Sequence, residues 1–265
     1  MKPNSRRTRA VIFAYLFGPP RIVEREEASN VHGRICDALG YDDFSFKYSS
    51  PGATPGSSAK AFSILLERAE GRGGLKIALD GGGTQNPVRL LVEYIWPPSV
   101  QHVNEQLDRV AEAVFGALQG DWKKVLAEAR LRTECDVDGN NASRYMRDEV
   151  LRLDEATVQS LQTPISFASV KLETPPSPPV ADDPFAGPKR EMTLEVLREN
   201  PKCLYVETMC QWDQLGAAPI GGQIQLNLTQ IRPIQDKPSE YVEKAYEFLD
   251  KKFFRLWGGS NEADA

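Results

Sequence analysis

Only two histidines, His32 and His102, and four cysteines, Cys36, Cys135, Cys203 and Cys210, occur among 265 residues. A hydrolytic triad or a metal site built on several imidazoles therefore has few possible members. His32 and Cys36 stand four residues apart in a stretch of helical periodicity, so an imidazole and a thiol share one helix side and form half of a metal site. No second half is visible, and a surface histidine beside a buried cysteine accounts for the pair. The run Asp136-Val137-Asp138-Gly139-Asn140-Asn141 offers oxygen ligands of the kind calcium takes. A calcium loop of the helix-loop-helix type needs a carboxylate at its twelfth position, which is Arg147 here, so the run reads as a turn.

The segment Asp80-Gly81-Gly82-Gly83-Thr84 follows an alternating Leu75-Lys76-Ile77-Ala78-Leu79. Glycines let a backbone approach phosphate oxygens, and Thr84 can donate a hydrogen bond. The segment resembles the phosphate loop of the sugar-kinase and actin-like ATPase family. In that family a similar hairpin turn brings backbone N–H groups to phosphates and an aspartate to magnesium. The resemblance implies Asp80, Gly81, Gly82, Gly83 and Thr84 as a nucleotide- or phosphate-binding set with Mg²⁺ as its ion. It covers this turn alone: the family opens on this strand and uses two doubly wound α/β halves, whereas some seventy residues precede the turn here and βαβ alternation is lacking.

Aromatic residues offer contact surfaces rather than chemistry. Tyr94 with Trp96, and Tyr205 with Trp212, are placed on strands to line a pocket or an interface, or to pack a sheet face. Tyr241, Phe248 and Trp257 widen the apolar side of the last helix, which points to self-association through it.

The elements that must carry these residues follow from periodicity. Arg9 to Phe17, Phe44 to Tyr48, Ala61 to Glu67, Leu75 to Leu79, Val88 to Trp96, Ala129 to Val137 and Ile165 to Glu173 read as strands. So do Glu191 to Leu197, Leu204 to Trp212 and Ile224 to Ile231. Helices are expected over Glu24 to Leu39, Val103 to Leu118, a short run capped by Asp154, and Val242 to Trp257. The prolines between Thr174 and Lys189 make a long exposed loop. The basic stretch Arg6 to Arg9 is expected to be a solvated tail.

Val88 to Pro97 and Ile224 to Pro233 match in pattern, each followed by an amphipathic helix, so a duplication is anticipated, with halves at 1–128 and 129–265. The fold class is α+β: mainly antiparallel sheet with amphipathic helices on one face.

A formal charge of −5 argues against general nucleic-acid affinity, which rests on a basic face. No apolar run reaches the ~20 residues of a membrane-spanning helix, and cysteines without CxxC spacing fit a reducing, cytoplasmic setting. The expected function is that of a non-catalytic binding or assembly protein with a protein partner or a second copy of itself. The alternative is a nucleotide- or phosphate-binding enzyme using the Asp80–Thr84 turn; outside that alternative no cofactor or metal is expected.

Overall fold

The alternation of apolar and polar residues along most of the chain fixes a sheet with one buried and one open face. The computed structural model describes residues 3–50, 62–81, 87–118, 120–137, 139, 141–160, 168–175, 188–213 and 237–250. The strands are β1 (Pro3–Gly18), β2 (Ser45–Ser49), β3 (Phe62–Glu70), β4 (Gly73–Gly81), β5 (Val88–Ile95), β6 (Lys123–Val137), β7 (Ser169–Thr174), β8 (Lys189–Val196) and β9 (Cys203–Asp213). They form one nine-stranded sheet in the order β2-β3-β4-β5-β1-β6-β9-β8-β7, with every neighbouring pair antiparallel. The expected α+β class is what the chain adopts.

The two longest strands, β1 and β6, lie side by side at the centre. From β1 the sheet extends outward through β5, β4, β3 and β2, and from β6 through β9, β8 and β7. On each side the chain leaves a central strand, reaches the far edge, and returns strand by strand. β6 runs through residues 128 and 129, so the two halves anticipated from the sequence share one continuous sheet. The stretch Ile224 to Pro233, on which the sequence match rested, lies outside the described residues, as does most of the proline-rich loop.

Helices α1 (Arg25–Leu39), α2 (Val100–Ala117) and α5 (Pro238–Phe248) bury their apolar sides in the same core as the strands. Each starts or stops for a local reason. Gly40 ends α1 in the left-handed conformation, at φ 70°. The Ser99 hydroxyl caps α2 by accepting from the His102 N–H at 3.1 Å. Pro238 stands at the start of α5, where its fixed φ suits a first turn and its missing N–H costs nothing. Val11, Phe13, Tyr15 and Phe17 on β1 point into this core, as do Val88, Leu90, Val92 and Tyr94 on β5. The buried Tyr94 hydroxyl donates to Gln106 of α2 at 2.9 Å, and Gln106 donates in turn to the Tyr41 hydroxyl at 2.9 Å.

Two sequence expectations are corrected. The Arg6 to Arg9 stretch is part of β1 instead of a solvated tail, because Arg6 pairs with Asp250 and Arg7 with Asp136. Between β6 and α4 (Glu155–Ser160) the chain also forms α3 (Ala142–Tyr145), which runs on as a π-helical turn, Met146–Val150. Its signal in the sequence was the Asn141 side chain, which accepts from the Arg144 N–H at 2.9 Å as a cap. No helix among the described residues is long and apolar enough to cross a membrane.

Candidate functional site

The face of the sheet away from the helices carries a polar groove of about 370 Å³ beside the end of β5. Its floor is built by a β-bulge. Thr8 pairs with Thr133 and Ala10 with Arg132, so Arg9 and Ala10 of β1 together oppose the single residue Arg132 of β6. The extra residue turns Arg9 toward the open face. Arg9 and Arg132, on adjacent strands, are therefore brought to the same wall.

Two carboxylates face each guanidinium. Arg9 Nε lies 3.3 Å from Glu134, whose side chain is 11% exposed, and its Nη1 lies 3.6 Å from Glu199. Arg132 Nε donates to Glu207 at 2.8 Å, and its Nη1 lies 3.8 Å from Glu93. Burial disfavours the Arg132 cation, but the Glu207 hydrogen bond and the neighbouring charges outweigh it, so its pKa lies above the ordinary value. Across the groove, Tyr205 of β9 donates to Glu207 at 2.8 Å. Burial, then that hydrogen bond, push its phenol far above the ordinary range, so the hydroxyl stays protonated.

The remaining walls come from Trp96, Ile95, Leu197 and the β8–β9 turn that carries Arg198 and Glu199. Trp96 has φ 51°, a conformation rare for a bulky side chain. Its N–H donates to the Arg9 carbonyl at 2.6 Å, and its ring lies 4.2 Å from the Arg72 guanidinium and 5.5 Å from that of Arg9. Gly73 makes this corner possible: a Cβ there would sit 1.7 Å from the Ile95 carbonyl oxygen. Strain of about 1–3 kcal/mol at such a residue persists only where the surroundings impose it, and it concentrates at ligand sites. Glu195 of β8, cross-strand from Tyr205, also lines the groove and has no side-chain partner among the described residues.

No protein-family model matches the chain, and no curated protein matches it either.

The sites anticipated from the sequence fall elsewhere. Asp80 and Gly81 are the last two residues of β4, in register with Arg89 and Val88 of β5, while Gly82, Gly83 and Thr84 lie outside the described residues. A Cβ on Gly81 would come within 2.7 Å of the Phe62 ring, so close packing in the core is one reason for a glycine there. The hairpin sits in an antiparallel sheet, unlike the two doubly wound halves of the family that the turn resembles. Tyr241 is 3% exposed and packs edge-on against Trp212 at 4.8 Å, which places it inside the chain's own core and not on a surface. Phe248 is half-buried under the Arg190 guanidinium, and Trp257 lies outside the described residues.

His32 stacks on Phe46 at 4.8 Å, and burial raises the Cys36 thiol above its ordinary value. Among the described residues no group of three or more His, Cys, Asp or Glu side chains gathers as metal ligands. Asp136 accepts from Arg7 and from the Cys203 thiol, whose pKa burial and that bond push up to about 11. All four cysteines are free thiols.

Of the aromatics named from the sequence, Trp96 and Tyr205 do line the groove, whereas Tyr94 and Trp212 are core. Sequence reading missed Arg9, Arg132 and Glu195. The signal was present in β6, where Glu128, Arg130, Arg132 and Glu134 alternate with Ala129, Leu131, Thr133 and Cys135. That pattern marks a strand whose second face is entirely charged.

Proposed function

We propose that this protein is a non-catalytic binding protein that holds a small polar ligand in the groove on the open face of its sheet. The observation that carries the reading is the pair Arg9 and Arg132, each fixed through Nε by a carboxylate and both lining the groove. An arginine already held by its ion pairs loses little freedom when a ligand binds beside it, which is preorganisation. Its volume lies at the lower end of the range for small-molecule sites. Binding is favoured over catalysis because Tyr205, the groove's phenol, is held protonated and the arginines are in fixed ion pairs, which suits recognition better than proton transfer. The groove floor is supplied by the two central strands, β1 and β6.

The test is a thermal-shift screen of a broad panel of polar metabolites against the wild type and Arg132→Ala. Panel members that raise the melting temperature of the wild type and not of the variant are expected. A panel without a single Arg132-dependent shift sinks the groove reading. A shift given by ATP with Mg²⁺, kept by Arg132→Ala and lost in Asp80→Ala, would favour the glycine-rich turn and a nucleotide instead.

A further inference from the structure

We infer that two copies of this chain pair through the outer edge of β7, antiparallel and about a two-fold axis at Leu172, so that their sheets become one. Among the described residues β7 ends the sheet: it pairs with β8 on one side and with no strand on the other. A strand in that position presents a row of open backbone N–H and C=O groups, which is a template for another strand. No residue of β7 lines the groove, so this inference goes beyond the ligand-binding reading and does not depend on it.

The first argument is the order of residues along this edge, Ser169-Val170-Lys171-Leu172-Glu173-Thr174. Antiparallel pairing about Leu172 sets Lys171 of each copy opposite the partner's Glu173, and Val170 opposite the partner's Thr174. Two opposite-charge cross-strand pairs form, and none of like charge. Within one copy Lys171 Nζ lies 2.9 Å from Glu191, and Lys189 Nζ lies 2.9 Å from Glu173. These four charges sum to zero, so two such edges meet without net repulsion. The Lys171 and Glu173 side chains are still 55% and 50% exposed. An ammonium has three N–H donors, so Lys171 can keep Glu191 and also take the partner's Glu173.

The second argument is Leu172 itself. It lies cross-strand from Met192, which is buried in the core, yet it is 43% exposed. On the two-fold axis it meets its own counterpart, which takes apolar area of both copies out of water. The opposite edge of the sheet supplies the contrast. β2 carries a single charge, Lys47, at its middle, and pairing β2 with itself about that residue sets two lysines face to face. Pairing β2 with β7 gains one opposite-charge pair, Lys47 with Glu173, in place of two, and it repeats head to tail without closing. Six residues a side make a small interface, so weak, reversible association is expected.

The experiment is sedimentation equilibrium of the full chain from about 10 µM to about 1 mM, a range that brackets weak affinities, with Lys171→Glu and Glu173→Lys run beside the wild type. The wild type is expected to pass from monomer to dimer and to stop there. Each variant turns both opposite-charge pairs into like-charge pairs, so its own dimer should be weakened about 10- to 100-fold. In an equimolar mixture the all-acidic edge of the first variant faces the all-basic edge of the second. Both pairs are then restored, and the mixture should dimerise about as well as the wild type although neither variant does so alone. A variant that had merely misfolded would not be rescued by mixing. A wild type that stays monomeric throughout the range overturns the inference, as do single variants that dimerise like the wild type or a mixture no better than its components. Growth past the dimer overturns it in favour of head-to-tail pairing between β2 and β7.

Discussion

Along β6 the two faces of one strand are built on opposite terms. Ala127, Ala129, Leu131, Thr133, Cys135 and Val137 turn toward the helices and are buried, and the buried hydroxyls of Thr133 and of Thr208 on β9 have no hydrogen-bond partner among the described residues. Glu128, Arg130, Arg132 and Glu134 turn the other way, and each has an ion-pair partner. On the covered face, shape and apolar area hold the fold, and polar groups are tolerated. On the open face, charge is organised in detail while contributing little to stability, since partly exposed ion pairs are worth about 0–1 kcal/mol each. Organisation without a matching gain in stability is what a recognition surface requires.

The contrast breaks first on the covered face if it is wrong. Phe13 is 1% exposed and sits edge-on to Tyr15 at 4.6 Å, at the centre of the core beneath α5. Phe13→Ala is expected to lose about 3–5 kcal/mol of unfolding free energy, read from urea denaturation. A loss below about 1 kcal/mol would mean that this face is not the one that holds the molecule together.

A smaller effect belongs to a polar chain that crosses the core. Tyr94, 3% exposed, donates to Gln106, which donates to Tyr41, and burial drives the Tyr94 phenol far above the ordinary range. Gln106→Leu keeps the volume and strands the Tyr94 hydroxyl, so it should cost about 1–3 kcal/mol. The second variant, Tyr94→Phe/Gln106→Leu, removes both partners and should recover much of that loss; if it does not, packing and not the hydrogen bond is at stake.

Smaller still, and opposite in sign, is the change at Thr208. Its hydroxyl is fully buried without a partner among the described residues, and valine has nearly the same shape. Thr208→Val is expected to gain about 1 kcal/mol, seen as a melting temperature higher by about 2–4 °C. A fall in melting temperature would show that the hydroxyl is satisfied in solution, most simply by a buried water.

Nearly every strand was legible because period-two alternation is a direct record of a half-buried sheet, as in Val88, Leu90, Val92 and Tyr94. Helix ends were legible where a cap had a side-chain signature, as at Gly40 and at Asp154, whose carboxylate accepts from the Thr157 N–H at 2.6 Å. The groove was not. Its floor depends on one unpaired residue in the β1–β6 ladder, and a bulge leaves no mark in composition or spacing. Its walls come from β1, β5, β6, β8 and β9, whose order across the sheet follows from long-range pairing. The glycine-rich turn drew attention because it is contiguous, whereas Arg9, Arg132 and Glu195 are far apart in the chain and meet only once the strands are laid side by side.

The finest test of the contrast is a substitution expected to do almost nothing to stability. Glu195 is half-exposed, lies in the groove and has no hydrogen-bond or ion-pair partner among the described residues. Glu195→Gln keeps its shape and removes its charge, so the unfolding free energy should stay within about 0.5 kcal/mol of the wild type. Relief of repulsion from Glu93 and Glu199 acts in the stabilising direction, and at the separations of a solvated groove it is largely screened by salt. A stability loss above that margin, measured by urea titration at low and at physiological ionic strength, would give Glu195 a structural duty. The open face would then be held by its charges in the way the covered face is held by its core, and the division of labour between the two faces would fail at the residue where it is drawn most sharply.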